Sequence, residues 1–162
     1  MELLVFIESH VHAPEDLAGS FRRAMQSSDA VAVQGDYTAA ASRHWASRVE
    51  SDLRAWNIQR RRSRGLPHDE FHLHSAGIRR DALLAAGGFD ERVPDIGEAT
   101  LPQRIRARGG RIVSLPFPPV LHFNHENFGG YVRALSKRGR EVGRLWHLDP
   151  VTACRIYPVE AL

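Results

Sequence analysis

A carboxylate and an imidazole stand two residues apart, directly after the first apolar segment of the chain. Leu3 to Ile7 is a continuous apolar run that is followed by Glu8, Ser9 and His10. Such a run is typical of a strand buried on both faces of a sheet. Ligands of open α/β sheets bind at the carboxyl ends of the strands. Glu8 and His10 are therefore candidate ligand-binding residues.

A second group of reactive residues lies in an ordered pattern between residues 75 and 109. The pattern consists of Arg79-Arg80, Gly87 to Glu91, Gly97-Glu98, Leu101, Arg104 and Gly109. It resembles the family 2 glycosyltransferases, in which an Arg-Arg pair, a short helix and Gly-Gly-Phe-Asp-Glu lead into an acidic Glu-Asp motif followed by Leu, Arg and Gly at fixed spacing.

The resemblance places Glu98 where the family keeps its catalytic aspartate, and Gly97 where the preceding glutamate would stand. It implies that Glu98 takes the proton of the acceptor hydroxyl as that hydroxyl attacks the anomeric carbon, a role that needs an ionised carboxylate. The alternative interpretation is that Glu98 caps the helix that starts near Thr100, because acidic groups are favoured there.

The resemblance also implies a divalent metal site, because the family carries an Asp-x-Asp motif at the end of a buried strand. Glu8 and His10 occupy that place, and His122 matches a histidine that follows the last core strand. The ion would be Mn or Mg, with Zn a further candidate given the imidazoles, and it would neutralise the leaving diphosphate. Arg79 and Arg80 are candidate contacts to phosphate or acceptor.

The nine histidines allow an interpretation of a different class. His10-Val11-His12, with His72, His74, His122 and His125, resembles the His-x-His opening of metal-dependent hydrolases. The barrel of that family needs a far longer chain. The hydrolase interpretation also leaves the pattern between residues 75 and 109 unexplained. Hydrolysis is therefore the second hypothesis.

The elements that must position these residues alternate between strands and helices. Leu17, Phe21 and Met25 repeat at helical spacing before an Ala30–Val33 strand, and Trp45, Val49, Leu53 and Trp56 place one apolar face on a helix spanning about 39–62. Further strands are predicted at 72–78, 111–115 and 120–122. Helices are predicted at 81–86, ended by Gly87-Gly88, at 101–108, ended by Gly109-Gly110, and at 128–145.

Composition indicates one folded domain. The 162 residues are 43% hydrophobic and 25% charged, as in ordinary globular proteins.

The net charge is only +3, and the aromatic residues do not interleave with the Arg60–Arg64 run, so a nucleic-acid arm is not expected. A single cysteine, Cys154, fits a reducing compartment, and the apolar run Leu3 to Ile7 is too short to be expected to act as a signal peptide or a membrane span. A cytoplasmic location is expected.

We therefore expect residues 1–162 to form one α/β domain of GT-A type: a Rossmann-like mixed sheet with helices on both faces, matching the acceptor-side, C-terminal portion of a family 2 glycosyltransferase. The first, nucleotide-binding strands of that family have no counterpart here. The resemblance implies inverting transfer of a sugar from a nucleotide sugar to a hydroxyl acceptor. A truncated gene, a misassigned start codon and a half-domain that binds without catalysing remain open. A non-catalytic remnant would expose a sheet edge, so self-association is also expected.

Overall fold

The computed structural model describes residues 2–38, 45, 48–49, 52–53, 56, 60, 63, 71–122 and 127–157. The strands are β1 (Leu3–Phe6), β2 (Val11–His12), β3 (Ala30–Thr38), β4 (Ala76–Arg79) and β5 (Arg111–His122). The α-helices are α1 (Leu17–Gln26), α2 (Arg80–Ala85), α3 (Leu101–Arg106), α4 (Phe128–Leu148) and α5 (Pro150–Ile156), and a 3-10 turn spans Pro94–Ile96.

The five strands form one mixed sheet in the order β1-β4-β3-β5-β2. β3 and β5 are parallel, whereas the β1–β4, β3–β4 and β2–β5 pairs are antiparallel. β1 lies at one edge of this sheet, and its residues are half-buried. The strand itself is confirmed. Leu4 and Phe6 pack on one core and Leu3 and Val5 on the other, so both faces are covered, but the side chains are half-buried and not fully buried as expected.

Successive residues of β3 point to opposite faces of the sheet, and each face carries its own core. Ala32 packs with residues of α2 and α3, including Leu83, Leu101 and Ile105. Val33 packs on the other face with Leu17, Phe21 and Met25 of α1. All three predicted apolar residues of α1 are thus buried, which confirms the helical spacing that predicted them.

Helix α1 lies so close to the sheet that a side chain on Gly77 would collide with it. A Cβ atom built at Gly77 would lie 2.9 Å from Cδ2 of Phe21, a separation that real Cβ atoms do not adopt. Phe21 is fully buried against this backbone. Helix and sheet can therefore approach closely only because β4 carries glycine at this position.

A third cluster joins the C-terminal helices to the turn that precedes α3. Leu145 of α4 and Ala153 of α5 pack against Val93 and Ile96. Helix α4 begins at an Asn127 cap whose side chain accepts a hydrogen bond from the Gly130 backbone N–H at 2.8 Å. This cluster holds α4 beside the loop that carries Glu98.

Two predicted strands differ from the structure. Residues 72–75 form a turn, so β4 begins only at Ala76. The segments 111–115 and 120–122 belong to one strand, β5, whose pairing with β3 shifts between Leu115 opposite Gly35 and Val120 opposite Tyr37. The shift absorbs the residues between them, which include three prolines that cannot donate ladder hydrogen bonds.

The fold class is thus confirmed as α/β, with a mixed sheet and flanking helices. The finer GT-A type stays a prediction. In the part of the chain that the structure describes, no helix is both long and apolar enough to cross a membrane.

Candidate functional site

Glu98 lies in the short loop between the Pro94–Ile96 turn and α3, and its side chain is partly buried. Burial raises the pKa of Glu98 above its ordinary value of 4.5, and the nearby negative charge of Glu8 raises the pKa further. A hydrogen bond from its own backbone N–H, and the charges of His72 and Arg138, act in the opposite direction. A carboxylate with a raised pKa is a stronger base than one in water.

The charges acting on Glu98 come from three distant parts of the chain. Glu8 follows β1, His72 lies in the turn before β4, Glu98 precedes α3, and Arg138 is on α4. Two carboxylates, an imidazole and a guanidinium therefore converge at the end of the sheet where β1 finishes. Clusters of titratable groups with a burial-shifted pKa are typical of functional sites.

Glu8 and His10 contact each other directly. Oε2 of Glu8 and Nε2 of His10 lie 3.1 Å apart, and both side chains are partly open to solvent. Neighbouring ligands of an octahedral ion with bonds of about 2.1 Å lie roughly 3.0 Å apart. The observed separation therefore suits two adjacent ligands of one divalent cation as well as it suits an ion pair.

His122, the third predicted ligand, is described through its backbone only. Its position on β5 pairs with Val11 of β2, the residue that follows His10. Strand pairing thus brings the chain at His122 beside the chain at His10. Among the side chains that the structure describes, no three of the His, Cys, Asp or Glu type are arranged to hold a metal ion, so the metal site stays a prediction.

A buried glutamine holds the histidine-bearing turn in place. Nε2 of Gln34 donates to the carbonyl oxygens of Gly35 and Ser75, both at 2.9 Å, and its Oε1 accepts from the His72 backbone N–H at 2.6 Å. Gln34 is almost fully buried. The rings of His72 and His74 stack with centroids 5.3 Å apart, and His74 is buried. Gln34 therefore fixes the turn that faces Glu98.

The Gly-Gly-Phe-Asp segment has a clear structural role in the same region. Gly87 and Gly88 both have positive φ, and their N–H groups donate to the carbonyls of Leu84 and Leu83, which ends α2. Phe89 then packs edge-on against Phe6 of β1, with ring centroids 5.4 Å apart. The segment thereby returns the chain to the sheet end where Glu8 lies.

The loop that carries Glu98 is closed by polar contacts. The Asp90 backbone N–H donates to the Gly97 carbonyl at 3.2 Å, and Arg104 donates to the Ala86 carbonyl at 2.7 Å and to Oγ1 of Thr100 at 3.1 Å. A Cβ atom at Gly97 would lie 3.0 Å from the Asp90 carbonyl oxygen. This tight loop therefore accommodates glycine at position 97, where the resemblance would place a glutamate.

The capping interpretation of Glu98 does not agree with the structure. The N-cap position of α3 is Thr100, and that helix has no side-chain capping hydrogen bond. Glu98 lies two residues before the cap, where its carboxylate interacts with its own backbone N–H.

Arg79 and Arg80 lie away from this cluster. Both stand at the end of β4 that pairs with the beginning of β1, whereas Glu8 follows the other end of β1. Arg79 forms a paired contact with Asp81 at 3.0 and 2.5 Å, and Arg80 lies 3.6 Å from Glu2. Arg79 also lines a cavity of about 310 Å³ with a mainly aliphatic wall, at the opposite end of the sheet from Glu98. The structure therefore does not bring these two arginines together with the other predicted site residues.

Sequence reasoning missed Gln34 and Arg138 as members of the site. Gln34 could have been found, because a polar residue directly follows the apolar run Ala30–Val33. Arg138 has no such signal, since it is one of several cations on α4. His72 was noted only under the hydrolase hypothesis.

We expect Glu98→Gln to increase the free energy of unfolding at about pH 8. Because the folded pKa of Glu98 lies above its ordinary 4.5, the folded state binds more protons than the unfolded state between those two values. Stability is therefore lost as pH rises through that window, and a glutamine avoids the loss. The difference from wild type should vanish as pH falls towards about 4.5, as urea denaturation across this range would show.

The control for this pH series is Glu91→Gln, which alters an exposed carboxylate in the same segment. It should leave the pH dependence unchanged. A Glu98→Gln protein that is less stable than wild type at about pH 8 would contradict the burial argument and revive the capping interpretation.

Comparison with known proteins adds no family assignment. The sequence matches no protein-family model. It likewise matches no characterised protein in a search of curated sequences.

Proposed function

We propose that this chain carries the acceptor side of a glycosyltransferase site of the family 2 type, which transfers a sugar from a nucleotide sugar to a hydroxyl acceptor with inversion. The observation that carries the proposal is the position of Glu98, a partly buried carboxylate with a raised pKa, among Glu8, His72 and Arg138. The residue that the resemblance assigns as base thus has the environment that a base requires.

In the proposed reaction Glu98 accepts the proton of the acceptor hydroxyl. The hydroxyl oxygen forms a bond to the anomeric carbon while the bond from that carbon to the diphosphate breaks from the opposite side, which inverts the configuration. The proton remains on Glu98 and the electron pair leaves with the diphosphate. The charges of His72 and Arg138 favour the ionised form of Glu98, because they lower its pKa against the larger effect of burial.

Glu8, His10 and His122 are the proposed ligands of a divalent cation. One carboxylate and two imidazoles form a donor set that favours Mn or Zn over Mg, and the 3.1 Å separation of the Glu8 and His10 donor atoms fits two ligands of one ion. When bound, such an ion supplies positive charge that stabilises the leaving diphosphate.

The test is release of nucleoside diphosphate from a panel of nucleotide sugars, supplied with Mn²⁺, Mg²⁺ or Zn²⁺ and with sugar-alcohol acceptors. Because the resemblance covers only the acceptor side, donors should be present at high concentration. We expect release that depends on the acceptor, with an inverted product by NMR. Release at an equal rate with water alone would favour the hydrolase hypothesis, and no release with any donor would contradict the proposal.

A further inference from the structure

Two exposed apolar stripes lie side by side outside the candidate site. The described residues between 45 and 63 are helical, and Trp45, Val49, Leu53 and Trp56 among them are 46–57% exposed. Their spacing of four, four and three places them on one helix face. The apolar face that the sequence predicted here is confirmed in its spacing, but the structure leaves it open to solvent.

The second stripe belongs to the first half of α4. Phe128, Val132 and Leu135 are 43–52% exposed and also follow helical spacing. The rings of Trp45 and Phe128 stack with centroids 5.9 Å apart at an angle of 21°. The two stripes therefore join into one surface, which we call the apolar surface and define by these seven residues. Apolar residues exposed together in this way mark an interaction site, whereas single ones do not.

The two segments that carry the apolar surface have one dominant sign of charge in their sequence. Residues 45–64 contain six arginines against two carboxylates, and α4 contains five cations against one carboxylate. The rest of the chain carries 11 cations against 16 carboxylates, so the positive excess of the whole protein is concentrated in these two segments. Arg60 lies over the ring of Trp56 at 5.1 Å, and Arg133, Arg140 and Arg144 are exposed on α4.

We propose that the apolar surface docks this protein on the face of an anionic phospholipid bilayer. Helices with tryptophan, phenylalanine and leucine on one face and arginine on the other lie in the plane of the membrane interface. The indole rings prefer the headgroup region, and the arginines attract anionic headgroups. The protein lies on the membrane under this proposal, which agrees with the finding that no described helix could cross one.

The apolar surface shares helix α4 with the candidate site, because α4 also carries Arg138, whose charge acts on Glu98. Docking itself is independent of the proposed sugar transfer. It can be measured without donor or acceptor, so failure of one proposal leaves the other intact.

The experiment is sedimentation of the full chain with vesicles of phosphatidylcholine, with and without phosphatidylglycerol. We expect binding to the vesicles with phosphatidylglycerol, weakened by added salt. Leu53→Ser should reduce partition roughly tenfold, since it removes most of one inserted apolar side chain. Leu84→Ser is the matched control, because Leu84 is similarly exposed at 59% but lies on α2. It should not change partition.

The electrostatic part is tested by Arg60→Gln against Arg22→Gln, an exposed arginine of α1. Only the first should weaken binding. Equal binding to vesicles with and without phosphatidylglycerol would overturn the charge argument. Absence of vesicle binding would overturn the proposal. If Leu53→Ser then abolished self-association in sedimentation velocity, the partner of the apolar surface would be a second copy of the chain.

Discussion

Glu98→Gln is expected to reduce the rate of the proposed sugar transfer by about 10²- to 10⁴-fold, the usual contribution of a general base. Glutamine keeps the shape of the side chain and most of its hydrogen bonding but cannot accept the proton. Because Glu98 is partly buried beside Glu8, the substitution also removes a charge that the folded state holds at a cost. Loss of activity should therefore accompany unchanged or higher stability, the combination expected of a functional residue.

The measurement compares kcat, KM and the thermal midpoint for wild type, Glu98→Gln and Glu91→Gln. A base makes its contribution in the transition state, so kcat should fall while KM changes little. Glu91→Gln, on the exposed surface of the same segment, should match wild type in all three quantities. Near-normal turnover with a lowered midpoint would assign Glu98 a structural role and remove the catalytic assignment.

Gln34→Leu is expected to lower the free energy of unfolding by about 2–3 kcal/mol. Leucine has a similar volume, so the loss comes from hydrogen bonds and not from a cavity. The His72 N–H loses its 2.6 Å acceptor, and the Gly35 and Ser75 carbonyls each lose the Gln34 donor, while the Ser75 carbonyl still accepts from the Gly35 N–H at 2.8 Å. Unsatisfied buried polar groups are among the few causes of large mutational effects.

Gln34→Leu should also change the pKa of Glu98 in the candidate site. When the turn that carries His72 is no longer held, the positive influence of His72 on Glu98 weakens, and the pKa of Glu98 should rise further. Carboxyl NMR titration would detect this change. Gln26→Leu, at an exposed position in α1, is the control and should change stability by less than about 0.5 kcal/mol. A Gln34→Leu protein with wild-type stability would show that the turn is held by other contacts.

The sequence by itself determined most of the secondary structure, because these features depend on neighbours along the chain. The spacing of Leu17, Phe21 and Met25 predicted α1, and all three are buried. Gly87, Gly88 and Gly109 predicted the ends of α2 and α3, and all three have positive φ, where other residues are strained. The resemblance between residues 75 and 109 also pointed to Glu98, whose catalytic role stays a prediction.

Only the tertiary structure decided which groups meet at the site. His72 was predicted within a strand, but Gln34 takes up its backbone N–H and turns the chain before Ala76. Glu8, His72 and Arg138 act on Glu98 although 90, 26 and 40 residues of sequence separate them from it. The raised pKa of Glu98 depends on burial, which periodicity does not specify. Likewise, the spacing of Trp45 to Trp56 predicted an apolar helix face, and only the fold determined that this face is open to solvent. Local patterns record which face of an element is apolar, whereas the elements packed against it determine what that face contacts.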